Sequence, residues 1–210
     1  MASLLYIESS PRKERSASIG VANTFTEEYL KTHPGDTVDV LDLWSNELPP
    51  FDGDTMNAKY AILHGEKQSE AQLKAWKPVE VLIDNFKSAD KYLISLPMWN
   101  FGISYKLKHY LDLLIQPSYT FSFSPEEGYK GLVTGKPVVL VYARGGAYSA
   151  GTGAEGFDYQ TSYMEHILGF IGFTDIRSII IEPTLMSTPD QKDEIMKEAR
   201  KQAREMSSNL

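Results

Sequence analysis

The chain contains no cysteine. Disulfides, thiolate nucleophiles, thiolate zinc sites and iron–sulfur clusters are therefore excluded. It also lacks a basic tract beyond the short PRKER at 11–15, and Asp plus Glu outnumber Lys plus Arg by 28 to 21, for a net charge of −7. Binding along a nucleic-acid backbone needs a positive face, so that class of partner is not expected. No apolar run approaches the ~20 residues that cross a bilayer, so no membrane span is expected. The opening MASLLYIESS reaches acidic Glu8 where a signal peptide would continue its apolar core. These absences lead us to expect a cytoplasmic protein. Histidine is scarce as well: His33, His64, His109 and His166 offer no i, i+4 pair for a metal on one helix. No metal site is expected and no side chain is assigned a catalytic role; His109 and His166 read as helix-surface or packing residues.

What is present is an ordinary globular composition, 42% hydrophobic and 23% charged. With 210 residues the chain is long enough to bury a core without covalent staples. Residues 3–7 (SLLYI) read as a short buried strand. Residues 17–31 carry Ile19, Val21, Ala22, Phe25, Tyr29 and Leu30 at helical spacing, with Ser16 as N-cap. Pro34-Gly35 ends that helix, and 37–43 (TVDVLDL) alternates as an outer strand would. Two helices divided near His64-Gly65 fill 54–88, followed by a strand at 91–97 closed by Pro97. A helix is read at 103–115, a hairpin-like segment at 119–133, and a Val-rich strand covered on both faces at 137–143. A helix at 158–172, a strand at 176–181 and a polar-faced helix at 189–207 complete the chain. The alternation of strands with main helices predicts an α/β fold: a doubly wound five-stranded parallel sheet with helices on both faces, in the flavodoxin-like variant. No repeat or linker interrupts it, so residues 1–210 are read as one domain.

Ligands of such sheets bind beyond the carboxyl ends of the strands, where strand order reverses. Three loops lie there. The first, after residue 8, sets Ser9, Ser10, Ser16 and Ser18 around a helix start. Free N–H groups and hydroxyls at that point suit a phosphate, although a capped helix after a polar loop is the simpler reading. The second, PMWNFGI at 97–103, holds Met98, Trp99, Asn100 and Phe101. Large apolar groups beside an amide suit a planar heteroaromatic ring, or else plug the sheet edge. The third begins ARGG, where Gly145 and Gly146 let backbone N–H groups approach a flat ligand. Farther along it, GTGAEG at 151–156 matches the dinucleotide pattern G-x-G-x-x-G letter for letter. Its context fails, because RGGAYSA separates Gly151 from the strand and Asp175 precedes strand 176–181 instead of ending it. We expect Gly151, Gly153 and Gly156 to form a flexible lid.

Taken in order, SS-x₅-SAS at 9–18, PMWNFGIS at 97–104, LKHYLDL at 107–113, GLVTGK at 131–136, ARGG at 143–146 and LGFIGFTD at 168–175 resemble the FMN-dependent azoreductases, a branch of the flavodoxin-like NAD(P)H:quinone reductases. The resemblance spans nearly the whole chain. It implies that Ser10, Ser16 and Ser18, with the amide of Ala17, bind the FMN phosphate. It implies that Met98, Trp99, Asn100 and Phe101 cradle the isoalloxazine, and that Ala143, Arg144, Gly145 and Gly146 line its pyrimidine edge. It further implies a homodimer in which 119–133 supplies part of the neighbouring lid. The family often has Ser where Ala143 stands and Tyr where Trp99 stands, so one hydroxyl contact is lost and the wall is bulkier.

The activity so implied is ping-pong hydride transfer through FMN, from NADH (or NADPH) to a small-molecule quinone or azo substrate, with quinone reduction the more general. Arg12, Lys13 and Arg15 are either contacts for a 2′-phosphate or solvated loop charges. The alternatives are a nicotinamide-only dehydrogenase, which the failed glycine context disfavours, a non-enzymatic flavodoxin-like FMN electron carrier, and an FMN-free binding protein on the same fold.

Overall fold

The computed structural model describes residues 1–210. Five parallel strands, β1 (Ser3–Glu8), β2 (Thr37–Asp42), β3 (Lys91–Pro97), β6 (Pro137–Ala143) and β7 (Asp175–Ile181), form one sheet in the order β2-β1-β3-β6-β7. Between β3 and β6 a separate antiparallel hairpin is made of β4 (Phe121–Ser124) and β5 (Gly128–Gly131). The helices are α1 (Ala17–Thr32), α2 (Gly53–Leu63), α3 (Glu70–Ser88), α4 (Tyr105–Leu114), α5 (Tyr159–Ile171) and α6 (Pro189–Ser208). The expected doubly wound sheet is therefore present, and the sequence ranges agree with it to within one or two residues at most ends.

The side-chain parity of the strands explains why both faces are covered. In β6, Val138, Leu140 and Tyr142 enter one core while Val139 and Val141 enter the other. In β3, Tyr92, Ile94 and Leu96 share the first core and Leu93 the second. The first core, of 25 buried residues, lies under α3, α4 and α5 through Trp76, Val79, Ile83, Leu107, Leu111 and Met164. The second, of 13, lies under α1 and α6 through Val21, Phe25, Tyr29, Ala199 and Ala203. Each fully buried Leu, Ile or Val contributes about 1.5–3 kcal/mol relative to exposure, so a charge at Leu93 or Val139 would break the sheet. The alternating 37–43 segment sits at the sheet edge, bonded to β1 alone.

The chain leaves β1 for β2 on one side and then crosses back to β3 on the other. The loops after β1 and β3 thus diverge above adjacent carboxyl ends, opening a crevice at that reversal. The loop after β6 lies beside it. Helix caps hold these loops in place: Ser16 accepts from the N–H of Ile19, Ser104 from Leu107, and Asp158 from Gln160 and Thr161.

Candidate active site

The loop after β1 places four serines out of solvent, with Ser9, Ser10, Ser16 and Ser18 all buried. The Ser16 and Ser18 hydroxyls lie 3.1 Å apart at the N-terminus of the 16-residue helix α1. The first-turn N–H groups of a helix have no carbonyl partner within it, and the aligned peptide dipoles favour an anion there. Burying that many hydroxyls around free N–H groups makes an anion cradle that needs no lysine. Ser9 joins this loop to two others. Its N–H and hydroxyl both donate to the carbonyl of Ser95 in β3, at 3.0 and 2.9 Å. Its own carbonyl accepts from the Trp44 indole at 3.0 Å and from the Ser104 hydroxyl at 3.3 Å. Lys13 is engaged by Asp42 and, at 3.4 Å, by Glu8, whereas Arg12 and Arg15 are exposed.

The loop after β3 is a tight hairpin turn. Trp99 and Gly102 exchange two backbone hydrogen bonds, both 3.0 Å, across Asn100 and Phe101. Both central residues have positive φ, 48° at Asn100 and 69° at Phe101. That is the two-residue type I′ geometry, for which Asn is suited and Phe is not. The turn throws its two large side chains apart. Trp99 tilts against Trp44 at 5.9 Å and Tyr105 at 6.1 Å between ring centroids. Phe101 meets Phe157 at 5.2 Å and the edge of Tyr148 at 6.0 Å. Asn100 stands exposed between them, and the Met98 N–H is held by the Ala143 carbonyl at 2.8 Å. Beside the turn a cleft of about 860 Å³ runs between α4 and α5, past Tyr105, Lys108, Tyr163 and His166. His166 thus borders a cleft, although its spacing suggests an ordinary helix surface. A larger groove of about 980 Å³ lies between β2 and α3 and includes none of the three loops' residues; the polar groups converge at the crevice, not there.

The loop after β6 begins with a buried cation. Arg144 is buried and four of its five guanidinium N–H groups are engaged inside the protein. It donates to Gln160 at 3.2 Å and to Thr161, and pairs with Asp158 at 2.9 Å and Glu182 at 3.2 Å. Its N–H donates to Ile181 and its carbonyl accepts twice from Thr184, so the backbone of Arg144 is also engaged within the protein. A charge out of water has to be paired, and Arg144 is paired twice. Gly145, Gly146 and Ala147 follow, and their N–H groups meet no acceptor within the chain. Downstream, the N–H groups of Tyr148 and Ser149 each donate at 2.9 Å to the Glu182 carboxylate. Burial would raise the Glu182 pKa, but these donors and the Arg144 guanidinium outweigh it and hold it below the usual carboxylate value.

Ser10, Ser16, Ala17 and Ser18 therefore gather at one helix start, and Met98 to Phe101 gather at one turn, with Gly145 and Gly146 beside it. Gly151 and Gly153 lie at φ 85° and 79° in an irregular loop, with no strand-to-helix turn around them. The acidic residue missing from strand 176–181 stands one place beyond it, as Glu182, turned inward to Arg144. Glu182, Trp44, Asp158 and Phe157 are absent from the sequence-derived site. An acid ending an apolar strand in IIIEP was the one available sign of Glu182.

A family model described as flavodoxin-like fold matches residues 2–206. The chain is 54% identical over 206 residues to an FMN-dependent NADH:quinone oxidoreductase of Nitratidesulfovibrio vulgaris strain DP4, covering 98% of each protein. It is 40% identical over 212 residues to FMN-dependent NADH:quinone oxidoreductase 3 of Pseudomonas fluorescens, covering 100% of this chain and 98% of that one. Among solved structures, an azoreductase from Bacillus anthracis strain Sterne superposes with a TM-score of 0.91 at 31% identity over the full length of both chains. An FMN-dependent NADH-azoreductase from the Ames Ancestor strain, solved in complex with FMN, gives 0.90 at 27% identity, covering 100% of this chain and 99% of that one. Fold, loop chemistry and likeness along the whole length agree, and this chain belongs to the flavodoxin-like family, in the branch of the FMN-dependent NADH:quinone oxidoreductases and azoreductases.

Proposed function

We propose that this protein is an FMN-dependent NADH:quinone oxidoreductase that also reduces aromatic azo compounds, by a ping-pong mechanism, as a cytoplasmic homodimer. The observation that carries the reading is the pairing of two complementary surfaces across one crevice. On one side stand the buried hydroxyls of Ser10, Ser16 and Ser18 at the start of α1. On the other stand the unpartnered N–H groups of 145–147 and, on the neighbouring turn, the exposed Asn100 amide. The first set suits a phosphate dianion and the second the acceptor-rich edge of a pyrimidine dione, so the residues fit FMN.

When bound, FMN supplies the two-electron chemistry, accepting a hydride equivalent from NADH and delivering it to the oxidant. The protein's part is binding and orientation. Ser16 and Ser18 would hold the phosphate through the hydroxyl hydrogen that their mutual 3.1 Å contact leaves free, and the Ala17 amide would add helix-end polarity. Trp99 and Phe101, held apart by their turn with the exposed Asn100 between them, would border the slot that receives the ring. Phe157 and Tyr148 pack against Phe101 and hold its ring at one side of that slot. A slot of this kind admits one planar partner at a time, which favours alternate half-reactions over a ternary complex. Lys13 is held by two carboxylates, so only Arg12 and Arg15 remain to meet a 2′-phosphate, in keeping with NADH as donor.

The test begins with purified protein loaded with FMN. A flavin visible spectrum bleached by NADH, with turnover on benzoquinone and on a mono-azo dye giving parallel double-reciprocal plots, is expected. A protein that takes up no FMN overturns the reading. One that binds FMN but is reduced by neither nicotinamide is an electron carrier instead.

A further inference from the structure

We infer that Glu182 is a positioning residue for the flavin ring: its carboxylate ties Arg144 at one end, and the Tyr148 and Ser149 amides at the other, of the backbone arc that carries the free N–H groups of 145–147. The inference rests on the FMN reading above.

The arc contains two glycines and therefore has little intrinsic preference among conformations. Its own N–H groups supply no order, since those of Gly145, Gly146 and Ala147 have no acceptor in the chain. Order comes from its ends. Upstream, Arg144 is fixed by Glu182 and Asp158 and by the carbonyl of Ile181. Downstream, both Glu182 oxygens are used: Oε2 accepts from Tyr148 and from Arg144, and Oε1 accepts from Ser149. One carboxylate thus spans the two ends. The carbonyl of Gly145 is held as well, by the Leu185 N–H at 3.1 Å, so the peptide planes between have few orientations left.

The arrangement is not a plain ion pair. Arg144 brings one positive charge and meets two carboxylates, so the second negative charge is stabilised by backbone amides. At Asp158 those are Gln160 and Thr161; at Glu182 they are Tyr148 and Ser149. A hydrophobic replacement could fill the volume, but it could not fix the direction of two N–H vectors. Glutamine cannot do so either. Both oxygens of Glu182 face donors, so an NH₂ at either place sets donor against donor.

The test compares the FMN-free wild type with Glu182→Gln and Ser16→Ala. Each is titrated with FMN and with riboflavin, which has the same ring and no phosphate, by flavin fluorescence quenching. Glu182→Gln is expected to weaken both flavins by the same factor, about tenfold, the scale of a charge-assisted contact. Ser16→Ala is expected to weaken FMN several-fold while leaving riboflavin within twofold. Unchanged affinity for both flavins in Glu182→Gln, with or without a lower melting temperature, overturns the inference. So does a loss confined to FMN, which would place the effect at the phosphate. A wild type that takes up neither flavin overturns the FMN reading and this inference together. Should Glu182→Gln not fold, hydrogen exchange on the FMN-free wild type decides: the Tyr148 and Ser149 amides must be protected, and exchange at the rate of an open loop overturns the inference.

Discussion

Asn100 and Phe101 occupy left-handed backbone that costs most residues about 1–2 kcal/mol, and Phe101 gains nothing from its side chain to offset the cost locally. The offset comes from packing against Phe157 and Tyr148. Strain held by surrounding contacts is common where a site must be pre-set, and here it sets Trp99 and Phe101 apart. Asn100→Ala is therefore expected to lose about 1 kcal/mol of stability in urea titrations, whereas Asn100→Gly should change it little. Both should weaken riboflavin, because both remove the amide; an Asn100→Ala protein as stable as wild type would mean that the turn can relax. Trp44→Phe keeps an aromatic face toward Trp99 and Tyr105 but removes the donor to Ser9. A loss of about 1 kcal/mol is expected on thermal unfolding. At this scale the sequence disclosed the residues of each loop and not their partners. Trp44 reaches Ser9 across 35 positions and Arg144 reaches Glu182 across 38, and no local pattern encodes such a meeting. Arg144 itself was legible as part of ARGG but not as a buried cation, because burial depends on the acids that surround it.

Elements were legible because their periods are strong. The single-run strands at 91–97 and 137–143 and the helix capped by Ser16 follow from hydrophobic spacing and cap chemistry alone, whereas the helix read at 103–115 begins two residues later, behind a Ser104 cap. The hairpin at 121–131 was legible as a hairpin-like segment at 119–133 but not strand by strand, since four-residue strands carry too few alternations. Its anchorage lies in two motifs that the sequence shows without explaining, GLVTGK and LGFIGFTD. Gly131 in β5 lies directly on the end of α5. A Cβ there would sit 2.3 Å from the Gly172 nitrogen and 2.4 Å from the Ile171 carbonyl carbon. The Val133 N–H donates to the Ile171 carbonyl at 2.8 Å, and Phe121 packs tilted against Phe170 with ring centroids 4.8 Å apart. Backbone meets backbone, so neither side can yield by a rotamer change. Gly131→Ala is expected to cost about 3 kcal/mol or to splay the hairpin. Chemical denaturation reads the first outcome and proteolysis within 121–131 the second; a variant stable and resistant on both counts would refute the contact.

For the molecule as a whole, ionisation sets the pH range of stability. Asp36, held low by the Ala2 N–H, Asp90, held low by the Ser3 N–H, and Asp175, held low by Arg177, all favour the charged form when folded. Asp42 and Glu182 do the same despite burial, through Lys13 and through the 148–149 amides respectively. The unfolded chain therefore binds more protons in acid. The stability these groups supply is complete above the ordinary carboxylate values of about 4 and is lost as pH falls through the lowered ones. In the other direction, burial raises the phenols of Tyr6, Tyr92, Tyr110 and Tyr142. Their contribution is complete below the ordinary phenol value of about 10 and is lost as pH climbs beyond it. Urea midpoints should hold a plateau from about pH 5 to 9 and fall on both flanks; a midpoint that rises below pH 4 would contradict the acid side. One further property follows from the way Ser9 joins the loops. The Trp44 indole and Ser104 hydroxyl bond to its carbonyl, a group that every amino acid carries. That part of the joint survives any replacement at position 9 that fits the space, but not the loss of either donor. Over generations, or in a directed library, position 9 can drift while 44 and 104 cannot, so the alignment of three loops is insured against change at the point where they cross.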